Sequence, residues 1–316
     1  MTLRVLQRIG ILAASLVASS VLVFAFMAVL PGDPARVALG INASDEAVAA
    51  MRTQFGLDQP LVTQYLDWVR GLATFQLGDS YVSNAPIAPQ IADRLQVTLW
   101  LVATSMVIAL VIAVPLGIVA AVRHRRPSGV VLSGLSQVGV AIPAFLAGIM
   151  LITVFAVQLG WLPAGGWTPP ANDPVMFVKQ LVLPALSLGL VQGAVLTRYV
   201  RGAVIDVQRE DYVRTARAKG LSPRAALRRH GLRNASIPVV TVLALQLATL
   251  LVGAVVVERV FVIPGLGSLL LDAVAQRDLR IVQDVVMVLV VAVLVVNVVV
   301  DVLYSVIDPR LRAGAR

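Results

Sequence analysis

Six long apolar runs constrain this chain more than any other feature of its sequence. Each is long enough to cross a bilayer as a helix, which takes about 20 mostly apolar residues. The runs cover residues 9–30, 95–122, 130–157, 181–200, 237–257 and 284–307. Backbone polar groups in lipid must pair within their own segment, and the alternating pattern of a barrel strand is absent. The sequence therefore predicts an all-α integral membrane protein with about six transmembrane helices.

Composition supports a chain that folds in a lipid bilayer. Hydrophobic residues make up 58% of the sequence and charged residues 14%, and the mean hydropathy is +0.87. A net charge of +9 is typical of some nucleic-acid-binding proteins, but the basic residues lie between the apolar runs instead of forming one patch. We therefore expect a lipid environment and no nucleic-acid partner. With no cysteine and only two histidines, neither a metal site nor a cysteine nucleophile is expected.

The distribution of charge predicts how the chain is oriented. If the N-terminus is cytoplasmic, most of the 26 basic residues lie in cytoplasmic connections and most of the 17 acidic residues lie outside. That asymmetry is typical of bacterial inner-membrane proteins. Arg4 and Arg8 precede the first run, which ends without a small-residue cleavage pattern, so we expect a retained helix and two cytoplasmic termini. The expected divisions are a first helix, an outside segment, a five-helix core and a cytoplasmic tail, at residues 1–30, 31–94, 95–307 and 308–316.

The outside segment is too long to be a simple turn. Ser44 suits the N-cap of a helix that stops near Gly56, and a second helix is predicted from Pro60 to Arg70, ending at Gly71. These helices would form a small extracytoplasmic cap. In the last outside connection, Pro264-Gly265-Leu266-Gly267 predicts a tight turn.

The longest cytoplasmic connection, residues 202–236, carries the most information about function. A helix is predicted from Val204 to Lys219, with Gly220 as its stop, and Ser222-Pro223 is typical of the start of another helix. We call residues 211–221 the elbow. From charge alone, the elbow could be a solvated basic loop near anionic lipid headgroups. Its small residues would equally allow the backbone of another protein to approach closely.

This connection reads Tyr212-Val213-Arg214-Thr215-Ala216-Arg217-Ala218-Lys219-Gly220-Leu221, followed by His230, Arg233-Asn234 and Pro238. That order of residues resembles the EAA loop of ABC importer permeases. Thr215 stands where many members have glutamate, and the interval from glycine to proline is longer; both departures fit the peptide and nickel branch. Further landmarks along nearly the whole chain are Leu30-Pro31-Gly32-Asp33-Pro34, Gly56-Leu57-Asp58-Gln59-Pro60, Gly78-Asp79-Ser80, Glu258 with Phe261, Ile263-Pro264-Gly265-Leu266-Gly267, Arg277-Asp278, and Asn297 through Asp301 to Asp308-Pro309-Arg310.

Together these landmarks resemble the first of the two permeases in dipeptide, oligopeptide or nickel importers. The resemblance implies a type I permease fold, a second permease subunit, two ATPase subunits or domains, and an extracytoplasmic binding protein that delivers the solute. It implies that the elbow is the coupling helix, which docks on an ATPase subunit through Thr215, Ala216, Arg217, Ala218, Lys219, Gly220 and Leu221. The solute would be a peptide or a similar small molecule, such as a dipeptide, an oligopeptide, a nickel chelate, glutathione or a haem-like ligand.

This chain is not expected to be an enzyme. It has no glycine-rich phosphate loop ending in lysine and serine or threonine, and its only lysines are Lys179 and Lys219. ATP and Mg²⁺ are therefore expected on the partner ATPase subunits, with no cofactor on this chain. Familiar membrane-protease motifs such as HExxH and GxSxG are also absent.

Several polar residues lie within the apolar runs and have two interpretations. They could line a solute pathway or form hydrogen bonds between helices. They are Gln137, Ser187, Gln192, Gln246, Asn297 and Asp301. Asp301 lies within the last apolar run, near its expected cytoplasmic end. It could be structural, contact the solute, or act at an interface or in gating. A secondary transporter that couples an ion to Asp301 is the main alternative function, and a membrane enzyme is the second.

Overall fold

The computed structural model describes residues 2–30, 32–40 and 42–307; of these, the side chains of residues 2–9, 244 and 301–307 are left undescribed. The described residues are mostly α-helical. In chain order the helices are α1 (Thr2–Val29), α2 (Pro34–Leu39), α3 (Asp45–Gln54), α4 (Leu61–Thr74), α5 (Ile87–Val122), α6 (Pro127–Ala141), α7 (Ala144–Leu151), α8 (Pro174–Arg209), α9 (Asp211–Ala218), α10 (Pro223–Ala226), α11 (Leu232–Val260), α12 (Leu266–Gln276) and α13 (Leu279–Ile307). Two π-helical stretches, Ile152–Gln158 and Leu227–Gly231, continue α7 and join α10 to α11.

Among the described residues, five helices are long and apolar enough to cross a membrane, and there are six spans if a bent helix pair is counted as one. α5 and α8 each contain 36 residues, so both extend well beyond the apolar runs that predicted them. The excess is expected, because an apolar run marks only the part of a helix that lies in hydrocarbon. The predicted all-α membrane fold with about six spans is confirmed.

The third predicted span is not one straight helix. α6 and α7 meet at a bend of 99°. Ile142 has an extended backbone, with φ −86° and ψ 121°, and Pro143 caps α7. A residue before proline is pushed out of the helical region, and proline cannot continue the hydrogen bonds of the preceding helix. Pro115 and Pro184, by contrast, lie inside the continuous helices α5 and α8.

The chain divides into two compact units, the first of which combines residues up to Thr98 with Pro264–Leu294. Its core joins the start of α5, α12 and the start of α13 through the buried side chains of Leu77, Ile87, Ile91, Leu266, Leu269, Ala273, Ile281 and Val285. The tight turn predicted at Pro264-Gly265-Leu266-Gly267 is wrong, because α12 begins at Leu266. Instead Gly265 is the N-cap of α12, and the Leu266 N–H donates to Thr98 Oγ1 at 2.9 Å.

The predicted cap helices are present in this first unit. Ser44 caps α3, as predicted, and its side chain accepts a hydrogen bond from the Ala47 N–H. α4, however, continues past Gly71 to Thr74, and Phe75 has the left-handed conformation that ends it. Gly71 has a different role: the Gln76 N–H donates to its carbonyl, and an added Cβ would lie 2.6 Å from Gln76 O. The chain turns back across this glycine, and no larger residue fits there.

The second unit, Leu99–Ile263 with the rest of α13, is built around α8. α8 packs against α6, α7 and α11 and buries a long row of side chains. Two glycines bring α5 close to α8. A Cβ at Gly117 would lie 2.6 Å from Val200 Cβ, and one at Gly189 would lie 2.7 Å from Ile108 Cγ2. α8 and α11 then lead directly into the short helices of the elbow region.

Candidate functional site

The elbow begins where α8 ends. Glu210 has an extended backbone, with φ −66° and ψ 142°, and it separates α8 from α9. The prediction of one helix from Val204 to Lys219 is therefore wrong, because an extended residue interrupts it. The predicted start of the next helix is confirmed: Pro223 opens α10, and the Ser222 side chain accepts a hydrogen bond from the Ala225 N–H.

α9 has a buried face and an exposed face. Val213 and Ala216 pack into a cluster formed by the end of α8, α10 and the following π-helical stretch, including Val207, Ala226 and Leu227. Ala216 is only 9% exposed, so its side chain contacts its own chain. The resemblance implied that Ala216 docks directly on an ATPase subunit, but its side chain is buried and supports the surface of α9 from within this chain.

The other predicted coupling residues are mostly exposed. Leu221 is partly buried and packs against the same cluster as Ala216. The exposed residues are Thr215, Arg217, Ala218, Lys219 and Gly220. The hydroxyl of Thr215 donates to the Asp211 carbonyl at 2.9 Å, and the Asn234 amide donates to Tyr212 Oη at 2.8 Å, which links α9 to α11. The elbow thus presents a small, positively charged surface, and the buried cluster beneath it holds that surface in place.

Gly220 makes the turn between α9 and α10. Its φ of +94° lies in the left-handed region, as predicted for a glycine that ends a helix. Its N–H donates to the Arg217 carbonyl, and the Leu221 N–H donates to the Ala216 carbonyl. An added Cβ would meet no atom within 4 Å. The requirement for glycine therefore comes from the backbone conformation and not from lack of space.

The polar residues predicted for a pathway or for packing fall into three groups. Ser187 is fully buried and donates to the Pro184 carbonyl of its own helix, so it contributes to packing. Gln192 and Gln246 are each 7% exposed, and Gln192 Oε1 and Gln246 Nε2 have no hydrogen-bond partner among the described residues. Gln137 and Asn297 are exposed on this chain. The side chain of Asp301 lies outside the described residues.

A buried polar network in the first unit was not predicted from the sequence. Trp68 Nε1 donates to Asp284 Oδ1 at 2.7 Å, and Ser80 Oγ donates to Asp278 Oδ2 at 2.5 Å. Arg280 donates from Nε and Nη2 to the Leu77 carbonyl at 3.1 Å. These bonds tie the cap to α13. They were missed because Trp68 and Asp284 are far apart in sequence, and only the fold brings them together.

The same network surrounds Tyr81. Burial raises the pKa of the Tyr81 phenol above its ordinary value, although the Arg280 guanidinium opposes this shift. Tyr81 also stacks on Phe55, with 4.4 Å between the ring centroids. This stacking packs the loop after α4 against the end of α3.

The described residues contain no group of three His, Cys, Asp or Glu side chains arranged to hold a metal ion. The elbow presents exposed cations, a small side chain and a sharp turn, and its described residues include no nucleophile paired to a base.

Comparison with known proteins identifies the chain. The family model for the binding-protein-dependent transport system inner membrane component matches residues 113–313, and the model for the N-terminal part of such membrane components matches residues 1–102. The chain is 43% identical to the glutathione transport system permease protein GsiC of Escherichia coli (strain K12) and of Salmonella choleraesuis (strain SC-B67), over 98% of each chain.

A solved structure shows the same fold at lower sequence identity. A chain of the MetNI methionine ABC transporter, in an inward-facing conformation, matches with a TM-score of 0.58 and 18% identity, covering 69% of this chain and 96% of that one. The family matches favour neither the ion-coupled nor the enzyme alternative. The chain belongs to the family of binding-protein-dependent transport system inner membrane components, as the multi-pass permease subunit of an ATP-driven importer.

Proposed function

We propose that this permease moves peptide-like solutes across the inner membrane and receives the work of ATP hydrolysis through its elbow. The observation that carries this proposal is the two-faced helix α9. Its buried face joins α8, α10 and the adjoining π-helical stretch through Val213 and Ala216, and its exposed face presents Arg217, Ala218 and Lys219. A force applied to the exposed face would be transmitted to α8 and α11, which pack against each other in the second unit.

The partners follow from this role. A second permease would complete the pathway, two ATPase subunits or domains would bind ATP and Mg²⁺, and an extracytoplasmic binding protein would deliver the solute. Thr215, Gly220 and Leu221 belong to the same docking surface as the exposed cations. The buried residue Ala216 supports this surface from beneath.

The orientation is part of the proposal. The excess of basic residues around the elbow favours a cytoplasmic elbow and cytoplasmic termini. Because the chain has no native cysteine, single cysteines can report on topology without background labelling.

We expect cysteines at Ser83 and Gln276 to react with an impermeant maleimide added outside intact cells. Cysteines at Ser128 and Ser222 should react only after the inner face is opened. All four positions are exposed on this chain, so accessibility to solvent alone does not separate them. The measurement is labelling of each variant before and after permeabilisation. Labelling of Ser222→Cys from outside, together with protection of Ser83→Cys, would show that the topology is opposite to the one proposed.

The substrate class rests on similarity to relatives. Proteins named as glutathione transport permeases are 43% identical over almost the whole chain, and glutathione is a tripeptide derivative. We therefore expect cells that lack this chain to lose uptake of short peptides, with recovery when the chain is restored. The measurement is uptake of labelled tripeptides and of glutathione. Normal peptide uptake with selective loss of a metal chelate would contradict the peptide assignment and leave the importer family unchanged.

A further inference from the structure

A groove between α8 and α11 carries opposite charges at its two ends. It is lined on α8 by Arg198, Tyr199, Gly202, Ala203 and Asp206, which lie on one face of that helix. Its other wall is one face of α11, formed by Ile237, Pro238, Thr241 and Val242. The groove has a volume of about 600 Å³, within the range of small-molecule sites.

The two charged side chains of the groove form no ion pair with another described side chain. Arg198 and Asp206 are both exposed. The Arg198 guanidinium lies 5.4 Å from the Tyr199 ring centroid, which leaves its donors available. Asp206 lies in the predicted cytoplasmic connection and Arg198 lies at the end of the fourth apolar run, so both charges face water and are available to a polar ligand.

The spacing of the charges defines the size of that ligand. Eight residues along a helix correspond to about 12 Å between Arg198 and Asp206. Three residues of extended peptide span at most about 11 Å. A free tripeptide carries an ammonium at one end and a carboxylate at the other near neutral pH. Arginine binds carboxylates with two parallel hydrogen bonds, and aspartate accepts from an ammonium.

The middle of the groove is small and neutral. A Cβ added at Gly202 would meet no atom within 4 Å, so the groove is open at its centre. Ala203, Ile237 and Val242 add apolar surface, which tolerates different side chains because it makes no directional bonds. An anionic lipid headgroup would be attracted by Arg198 but repelled by Asp206, so a zwitterion fits the groove better.

We infer that this groove is a binding site for a zwitterionic peptide of about three residues, with its carboxylate at Arg198 and its ammonium at Asp206. The inference rests on the proposed peptide transport and adds a site to it. The groove lies where α8 and α11 lead into the elbow region, so the solute would be held beside the segment that receives the work of ATP hydrolysis.

The binding test uses the assembled importer in nanodiscs, without the binding protein, so that only the membrane subunits are probed. Trialanine should show saturation-transfer NMR signals from the complex, whereas N-acetyl-trialanine amide, which lacks both charges, should not. Arg198→Gln, Asp206→Asn and Gly202→Leu should each abolish the trialanine signal. A Cβ at Gly202 meets no atom within 4 Å, so this substitution adds its bulk to the open groove.

Matched control variants carry the same types of substitution outside the groove. Arg125→Gln removes an exposed arginine outside the groove, and Gly134→Leu adds the same bulk at a helical glycine with open space around it. Both should bind trialanine like the parent complex. In cells, uptake of transported tripeptides should fall roughly tenfold or more in Arg198→Gln and Asp206→Asn, the size expected for losing a charged hydrogen bond. Uptake should also fall in Gly202→Leu, because the added side chain occupies the groove, and it should be unchanged in the controls.

The possible outcomes distinguish failure of the proposed binding site from failure of the proposed function. If deletion of the chain abolishes peptide uptake but the groove variants bind and transport normally, the site is wrong and the function stands. Equal signals from trialanine and its blocked analogue, or no signal because a second permease fills the groove, would also overturn the site. If deletion leaves peptide uptake intact, the proposed peptide transport fails and the inference fails with it.

Discussion

Ala218→Trp is expected to abolish uptake while leaving the chain inserted in the membrane at normal levels. Ala218 is exposed on α9, next to Arg217 and Lys219, so a large ring placed there does not disturb this chain. It would occupy the space into which an ATPase subunit docks. The measurements are membrane abundance, co-purification of the ATPase subunits, and ATP hydrolysis stimulated by the loaded binding protein. The last two should be lost together with uptake.

Two further substitutions separate docking from folding. Ala216→Trp should lower the amount of chain, because Ala216 is buried and overpacking costs about 1–3 kcal/mol. Gly220→Val should insert but couple poorly, because holding a β-branched residue in the left-handed conformation of Gly220 costs on the order of 1 kcal/mol or more. Near-normal uptake and ATPase association in well-inserted Ala218→Trp would show that α9 is only a solvated basic helix.

Trp68→Ala is expected to release the cap from α13 and to produce the largest loss of stability of any change discussed. Trp68 is 1% exposed and donates to Asp284, a carboxylate with no exposed surface. Its ring also lies against Phe24 and Tyr65. Truncation of a buried tryptophan costs about 3–5 kcal/mol. The measurement is the temperature at which the purified importer loses its monodisperse peak in size-exclusion chromatography.

The hydrogen bond can be tested apart from the packing. Trp68→Phe keeps most of the apolar ring but removes the donor to Asp284, and leaving a buried acceptor unpaired costs about 1–3 kcal/mol. It should lower the transition temperature by less than Trp68→Ala. Trp161→Phe is the control, because Trp161 is 66% exposed. A Trp68→Ala importer as stable as the Trp161→Phe importer would show that the cap does not depend on this contact.

The helical membrane fold was predictable because each apolar run follows a single physical requirement, the burial of paired backbone groups in lipid. Local signals were also reliable where one residue decides the geometry, as at Ser44, Ser222 and Gly220. The bend at Pro143 is the largest difference from the predicted spans, because hydropathy does not distinguish a kinked helix from two helices at 99°.

The remaining features depend on tertiary contacts that no local pattern encodes. The elbow residues were identifiable by resemblance, but that Ala216 faces inward follows only from the packing of α9 on α8 and α10. The same applies to the pairing of Trp68 with Asp284 and to the groove at Arg198. Each of these three features depends on contacts between residues that are far apart in sequence or lie on different helices.

The most direct test of the account is transport by purified components in proteoliposomes. Uptake of labelled tripeptide should require this chain, a second permease, the ATPase subunits, the loaded binding protein and ATP together, and it should stop when any one is omitted. The contradicting result is uptake by this chain alone, driven by an ion gradient and abolished by Asp301→Asn. That outcome would identify a secondary transporter in place of an ATP-driven importer.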